Sequence, residues 1–494
     1  MTAMDTGSGG GAAGGFRAAF FKRKYMRGIA MDEFFSPSAV AVIGASTKPG
    51  KIGYEVLKCL TGSSYKGGIF PINPAAAGKE LLGKRCYARL SELPAKPELA
   101  VFVVGADRVP EAMEECASAG VKAVVIISGG FKELGKEGAE LERRTVAAAR
   151  KGGIRVIGPN CIGISSAESG LETFFQPREM MARPGPGPVA MMSQSGTFGA
   201  TLLEWFAGEN IGVSRFVSIG NKSDVDELDF MRYCEKDNGT KLIALYAEGL
   251  PRGREFATVA AEVGRKKPIL LLKGGRTSAG AHTAASHTGS VAGSFPSFAG
   301  AMAQSGVIVA QDADELLDIA KLLVMQPLPR GGRLAMATNG AGPCVVVADA
   351  VTEGTALSIA KLSEASVTKL KSALPPFCVI DNPVDLTGSA DTGFFQSALE
   401  ALSSDSNVDI LMPVLVFQDA PLGLSSPTLP DAMGNIAKAG KTMLAIAGGG
   451  PFTLEQSRRL AAVGVPVFPT ARRAVRALDA VVRYAGWLRR QASE

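Results

Sequence analysis

The chain has 494 residues, of which 46% are hydrophobic and 20% charged, a globular composition that excludes wholesale disorder. Lys and Arg exceed Asp and Glu by 53 − 47 = 6, which suits anionic small molecules and gives no case for a nucleic-acid binder. The two His, the scattered Cys without a C-x-x-C pair and the absence of any apolar run near 18 residues exclude a His-rich or Cys-based metal centre, a disulfide framework and a membrane span.

At about 150 residues per domain, roughly three domains are expected. Residues 1–30 begin with a Gly-rich stretch, Met1–Gly15, which reads as a flexible tail. Phe16–Gly28 mixes Arg and Lys with Phe16, Phe20 and Phe21. It admits two readings, a targeting or membrane-surface helix and a plain extension, and the plain extension is preferred. No secretory signal is present, so a cytoplasmic protein with reduced thiols is expected.

From Met31 the pattern becomes regular. Ala39–Ile43, Gly68–Ile72, Leu99–Val104, Ala123–Ile127 and Arg155–Ile157 read as strands, separated by helix-like stretches such as Gly53–Leu60, Val109–Ala119 and Gly138–Arg150. This alternation predicts βαβ units and a parallel sheet. Arg183–Pro188 alternates Pro and Gly and reads as a linker. A second unit follows, with strands at Val189–Met192, Arg215–Ser218, Leu242–Tyr246 and Pro268–Lys273, and a second linker at Gln326–Gly332 closes it. The third unit starts at Leu334–Ala337 and has strands near Asp409–Val414, Thr442–Ile446 and Val465–Phe468. Units two and three open alike, with VAMMSQSG against LAMATNGA, which reads as a weak internal duplication.

Three segments carry chemistry. Strand Ala39–Ile43 runs into the Gly-rich turn Gly44–Gly53, which offers backbone N–H groups and a helix start to a phosphate. The turn lacks G-x-G-x-x-G and the G-K-[ST] of a Walker A loop, and no carboxylate follows the next strand, so it argues against both NAD and a P-loop. Lys48 and Lys51 suit the extra phosphates of CoA. The second segment, Lys273–Ser294, is built almost wholly of small residues and holds both His282 and His287. A neutral imidazole is a competent nucleophile, and a carboxylate can fix its tautomer; Glu248, just past a predicted strand, is placed to do so. The third segment, Ser193-Gln194-Ser195-Gly196-Thr197, is a strand-to-helix turn that suits an anion. It also admits a rival reading as the nucleophile turn of a serine hydrolase with Ser195, Glu248 and His287, although position 193 is Ser and not the usual Gly.

In chain order these motifs resemble the α-type part of the NDP-forming acyl-CoA synthetases, relatives of succinyl-CoA synthetase and typified by the ADP-forming acetyl-CoA enzymes. The resemblance runs from about Met31 to Leu478 through Val42–Ser46, Pro71–Pro74, Gly158–Cys161, Ser193–Gly196, Gly220-Asn221, Asp224–Glu227, Glu248-Gly249, Ser286–Ser290, Thr338-Asn339 and Asn382–Gly388. It implies an α/β chain with a Rossmann-like CoA-binding domain over residues 31–183. Two flavodoxin-like parallel-sheet domains over 189–326 and 332–485 would follow. It implies that His287 is phosphorylated, that Glu248 orients it, and that Ser193, Gln194, Ser195, Gly196, Thr288 and Gly289 hold the phosphoryl group. It places CoA against Gly44, Ala45, Ser46, Lys51, Gly53, Asn73, Val104, Ser128, Asn160 and Cys161.

The implied reaction interconverts acyl-CoA, ADP and phosphate with a carboxylic acid, CoA and ATP. The family's ATP-grasp nucleotide domain has no room in these three units. An ATP-grasp β chain carrying ADP or ATP with Mg2+ is therefore expected as partner, in an α2β2 assembly. Without that partner, the alternative is a non-catalytic CoA-binding regulator.

Overall fold

A computed structural model of the protein describes residues 31–280, 282 and 294–493. The tail expected over residues 1–30 lies outside them. The chain groups into two units. One runs to Phe175 and includes Asn221–Asp237; the other comprises Gln176–Gly220 and the chain from Asn238 onward.

The first unit is built on a parallel sheet of β1 (Ala39–Ile43), β2 (Gly68–Ile72), β3 (Leu99–Phe102), β4 (Ala123–Ile126) and β5 (Arg155–Ile157), in the order β2-β1-β3-β4-β5. Every residue of β1, β3 and β4 is buried. That is why these strands read as unbroken apolar runs: helices cover both faces of a parallel sheet. Those helices are α1 (Ile52–Gly62), α2 (Val109–Ala119) and α3 (Lys136–Gly152). The chain steps from β1 to β2 on one side and then to β3 on the other. This reversal opens a crevice between the C-terminal ends of β1 and β3.

Asn221–Asp237 packs on this sheet. Arg155 grips Asp224 at 2.8 Å and Asp229 at 2.9 Å, and Ser223 N donates to Gly158 O at 3.1 Å. Phe35, in the short helix Asp32–Phe35, stacks on Tyr233 at 5.0 Å.

The second unit holds two further parallel sheets. In the first of them, β6 (Val189–Ser193) leads through α4 (Gly196–Gly208) to β7 (Val213–Ser218), and β8 (Leu242–Ala247) follows after the chain has passed through α5 (Glu227–Lys236), which belongs to the first unit. Next come α6 (Gly253–Gly264), β9 (Ile269–Lys273), α7 (Phe295–Gln304), β10 (Val307–Ala310) and α8 (Ala313–Met325). The parallel strand order is β10-β9-β8-β6-β7. The other sheet runs β11 (Arg333–Thr338), α9 (Ala341–Thr352), β12 (Ser358–Ile359), α10 (Glu364–Ala373), α11 (Thr392–Ser404) and β13 (Ile410–Val414). It continues through α12 (Leu429–Ala437), β14 (Ala445–Ile446), α13 (Pro451–Ala462) and β15 (Val467–Phe468), in the order β12-β11-β13-β14-β15.

A long final helix, α14 (Ala471–Ser493), joins the two sheets. Its Arg473 pairs with buried Asp318 of α8 at 2.7 and 2.8 Å, Tyr484 OH donates to Gly264 O at 2.7 Å, and Trp487 Nε1 donates to Gln304 O at 3.0 Å. The Trp487 ring lies on Gly306, where a Cβ would come within 2.5 Å of it.

The expected strand Thr442–Ile446 is two short strands, Thr442–Met443 and Ala445–Ile446. The sequence reading also passed over β10, β12 and the hairpin Glu80–Leu81/Lys84–Arg85. Strands of two to four residues are too short to display a period.

Candidate functional site

The C-terminal end of β1 forms the first candidate centre. Gly44 takes a positive φ of +93°, and a Cβ there would lie 2.8 Å from Val103 O and from Val104 Cγ1, across the crevice. At Gly53, in the first turn of α1, a Cβ would stand 2.1 Å from Gly44 O. Both positions must therefore be glycine if the turn is to fold tightly onto the helix start. Asn73 ties the turn to β2: its Nδ2 donates to Ala45 O at 2.7 Å, and its Oδ1 accepts from Ala75 N at 3.0 Å. Ser46 Oγ accepts from Lys48 N at 3.1 Å, while Lys48 and Lys51 are exposed at the mouth. The N-cap Lys51 gives α1 no side-chain acceptor, so the helix start keeps donors for an anion.

The neighbouring turns on the same sheet edge are tied together. Ser128 Oγ donates to Val104 O at 2.5 Å, and Asn160 N donates to Ser128 O at 2.9 Å. Asn160 itself has φ +59° and is exposed, just after the cis Gly158–Pro159 bond. Glu133 accepts from Gly130 N at 2.6 Å, from Phe131 N at 3.1 Å and from Asn221 Nδ2 at 2.6 Å. Burial raises its carboxyl, but these donors outweigh burial and hold it below its ordinary value. The Cys161 thiol is buried and donates to Ile126 O at 3.2 Å, and burial pushes it up to about 12. That thiol is inert at neutral pH.

The second centre lies at the C-terminal ends of β6 and β8, paired strands between which the second sheet's strand order reverses. Ser193 Oγ donates to Ser195 O at 2.6 Å, and Ser195 Oγ caps α4 by accepting from Phe198 N at 3.3 Å. Gln194 stitches the two strand ends: its N–H donates to Tyr246 O at 3.0 Å, and its Oε1 accepts from Glu248 N at 2.8 Å and Gly249 N at 3.2 Å. Two donors on Oε1 fix the orientation of the amide and leave Nε2 with no acceptor among the described residues.

Tyr246 OH lies 3.5 Å from Glu248 Oε1, and the Tyr246 ring packs on Phe198 in the first turn of α4 with centroids 4.5 Å apart. Burial, with the Glu248 charge beside it, pushes the phenol up to about 12, so it remains a donor. Lys273, the last residue of β9, donates to Glu248 O at 2.6 Å and also to Gly274 O.

The histidine segment departs from this point. A Cβ on Gly274 would touch Tyr246 OH at 2.8 Å and Glu248 Cγ at 3.3 Å. Arg276 donates to Gln311 O and Oε1, and its guanidinium stacks 4.5 Å from the Phe295 ring at the segment's far end. His282 is exposed. His287, Thr288 and Gly289 lie outside the described residues. Ser193, Gln194, Ser195, Gly196 and Glu248 are thus together, at one root of the segment that carries His287. The CoA-type residues Gly44, Ala45, Ser46, Gly53, Asn73, Val104, Ser128 and Asn160 share one edge of the first sheet.

Sequence reasoning missed Tyr246, Lys273, Arg276 and the Glu133–Asn221 pair. The Gly220-Asn221 motif was the one available signal, because the others are roles defined by contact and not by pattern. Among the described residues no group of His, Cys, Asp and Glu could hold a metal ion, and no helix is long and apolar enough to cross a membrane.

Comparison with known proteins gives consistent matches. Residues 38–167 match the CoA binding domain, and residues 186–323 match the succinyl-CoA ligase like flavodoxin domain. The chain is 39% identical over 465 residues to acetate–CoA ligase [ADP-forming] I subunit alpha of Pyrococcus furiosus, covering 93% of this chain and 98% of that one. It is 39% identical to acetate–CoA ligase [ADP-forming] I of Archaeoglobus fulgidus over 92% of its own length but spans 64% of that protein. Among solved structures, dinucleotide forming acetyl-coenzyme A synthetase 1 of Ca. Korarchaeum cryptofilum, in complex with phosphate and ADP, superposes with a TM-score of 0.87 at 36% identity, covering 94% of this chain and 99% of that one.

Proposed function

The chain belongs to the NDP-forming acyl-CoA synthetases of the succinyl-CoA ligase superfamily, and on that premise we propose that it is the α chain of an ADP-forming acetyl-CoA-type synthetase. The supporting observation is the stitched pair of strand ends in the second sheet. Gln194 holds the Ser193–Gly196 helix start against Glu248, and Glu248 stands at the root of the segment that carries His287.

CoA lies along the Gly44–Gly53 turn, whose backbone donors and exposed Lys48 and Lys51 suit its phosphates. Its thioester end runs toward Asn160. Inorganic phosphate attacks the thioester carbonyl: an O–C bond forms, the C–S bond breaks, and CoA leaves as the thiol. A nitrogen of His287 then attacks phosphorus of the acyl phosphate, releasing the carboxylate. The α4 N-terminus and Gln194 Nε2 hold the phosphoryl oxygens, and Glu248 holds the other ring nitrogen of His287. An ATP-grasp β chain supplies ADP with Mg2+ and takes the phosphoryl group, in a cytoplasmic α2β2 assembly. The domains are proposed to be 31–183, 189–326 and 332–485.

The test is to incubate the purified chain with acyl-CoAs and labelled phosphate and to map the label. Acid-labile, base-stable phosphate on His287, absent in His287→Asn and discharged by ADP with an ATP-grasp partner, is the expected result. CoA binding without label from any acyl-CoA would instead leave a CoA-binding regulator.

A further inference from the structure

Away from both turns, a groove of about 720 Å³ opens between α14 and the face formed by α7 and β10, and its volume falls within the range of small-molecule sites. One wall is apolar and carries Ala299, Ala303 and Val307. The opposite wall is the face of α14 that presents Arg476, Arg483 and Arg490 at heptad spacing. Two of these charges are spent. Arg476 pairs with Glu315 at 2.9 Å and Arg483 with Asp479 at 2.9 Å.

At the last turn no such pairing is present among the described residues. A methyl group on Gly486 would stand 3.6 Å from Arg490 Nη1 and 3.7 Å from Arg489 Nη2, so two guanidinium groups converge over one glycine. Arg489 gives one donor to Pro329 O at 3.1 Å, and among the described residues no carboxylate lies within ion-pair reach of either arginine. The negative end of the helix dipole offsets part of this charge. The groove also connects to the histidine segment through one lining residue. Gln311 lines it while accepting from Arg276, and α7 starts at Phe295, which lies under the same guanidinium.

We propose that this groove is a second organic-anion site, separate from the CoA turn, which takes a flat or apolar body against Ala299, Ala303 and Val307 with its phosphate or carboxylate between Arg489 and Arg490.

The test uses the full chain saturated with CoA. The probe is 8-anilinonaphthalene-1-sulfonate, a flat body whose sulfonate stands in for the anion. The chain has two Trp, so in a Trp205→Phe background Trp487, which lines the groove, reports alone. Bound probe quenches Trp487 by energy transfer, excess CoA does not release it, and Arg489→Gln/Arg490→Gln weakens it at least tenfold. Gly486→Leu fills the groove with a better helix former and does the same. Displacement by adenosine 5′-monophosphate marks a phosphate ligand, and displacement by benzoate a carboxylate. Release of the probe by CoA, unchanged affinity in both variants, or displacement by neither competitor would overturn the assignment.

Discussion

The second and third sheets open with the same strand–turn–helix and put it to different uses. Ser193, Gln194 and Ser195 correspond to Thr338, Asn339 and Gly340. Ser193 Oγ donates to Ser195 O at 2.6 Å, and Thr338 Oγ1 donates to Gly340 O at 2.8 Å. Gln194 Oε1 reaches across to Glu248 N, and Asn339 Oδ1 reaches across to Val416 N at 2.9 Å. The difference lies in the rest of the amide. Asn339 Nδ2 is consumed by Val416 O and Asp419 Oδ2, both at 2.9 Å, so this turn is closed on itself. Gln194 is one methylene longer and keeps Nε2 available, and its helix is capped by a serine hydroxyl where the third sheet has Gly340. One scaffold thus serves as a knot in the third sheet and as a cradle in the second. The saturation of a single amide separates the two.

The comparison is most exposed at the carboxylates beside each turn. Glu248→Gln should slow phosphate incorporation into the chain by on the order of 100-fold, because a neutral amide no longer stabilises charge on His287. Asp419→Asn should change the same rate less than twofold. Equal losses in a labelled-phosphate time course would erase the distinction.

The amides come next. Gln194→Ala and Asn339→Ala each strip buried backbone donors or acceptors of a partner, at about 1–3 kcal/mol of stability. Urea unfolding should show similar losses, while phosphorylation should fall in the Gln194 variant alone.

The smallest effect concerns two acids that cap helix N-termini. Asp226, which caps α5, is pushed up to about 7 by burial, with the charges of Asp229 and Glu227 adding to it. An unfolded Asp titrates near 3.9. Between about pH 4 and about pH 7 the folded chain therefore holds a proton that the unfolded chain has lost, so stability falls as pH rises through that window and the loss is complete above it. Asp226→Asn keeps the cap, flattens this slope and should gain about 1–2 kcal/mol at about pH 8. Asp391 caps α11 from an exposed position, accepting from Phe394 N at 3.1 Å.

Much of the fold was legible because parallel strands are buried on both faces and advertise themselves as apolar runs such as Ala39–Ile43 and Ala123–Ile126. The turns were legible for the same reason, since each follows such a run. What stayed hidden depends on contacts distant in the chain. Tyr246 reads as one more strand residue until the structure sets it between Phe198 and Glu248. The segment Asn221–Asp237 sits between two second-sheet strands in the chain yet bonds to the first sheet through Arg155. No local period encodes that return.

The clasp made by α14 also bears on the order of events during synthesis. Tyr484 bonds to a carbonyl 220 residues earlier, and Arg473 to a carboxylate 155 residues earlier. The second sheet therefore leaves the ribosome with Asp318 and the Gly306 shelf uncovered, and it must wait for the whole third sheet before they are closed. Such long-range closure slows folding and exposes an intermediate to aggregation. A chain truncated before Ala471 would keep both parallel sheets and lose the lid of each. Nascent copies are then most vulnerable just before α14 emerges.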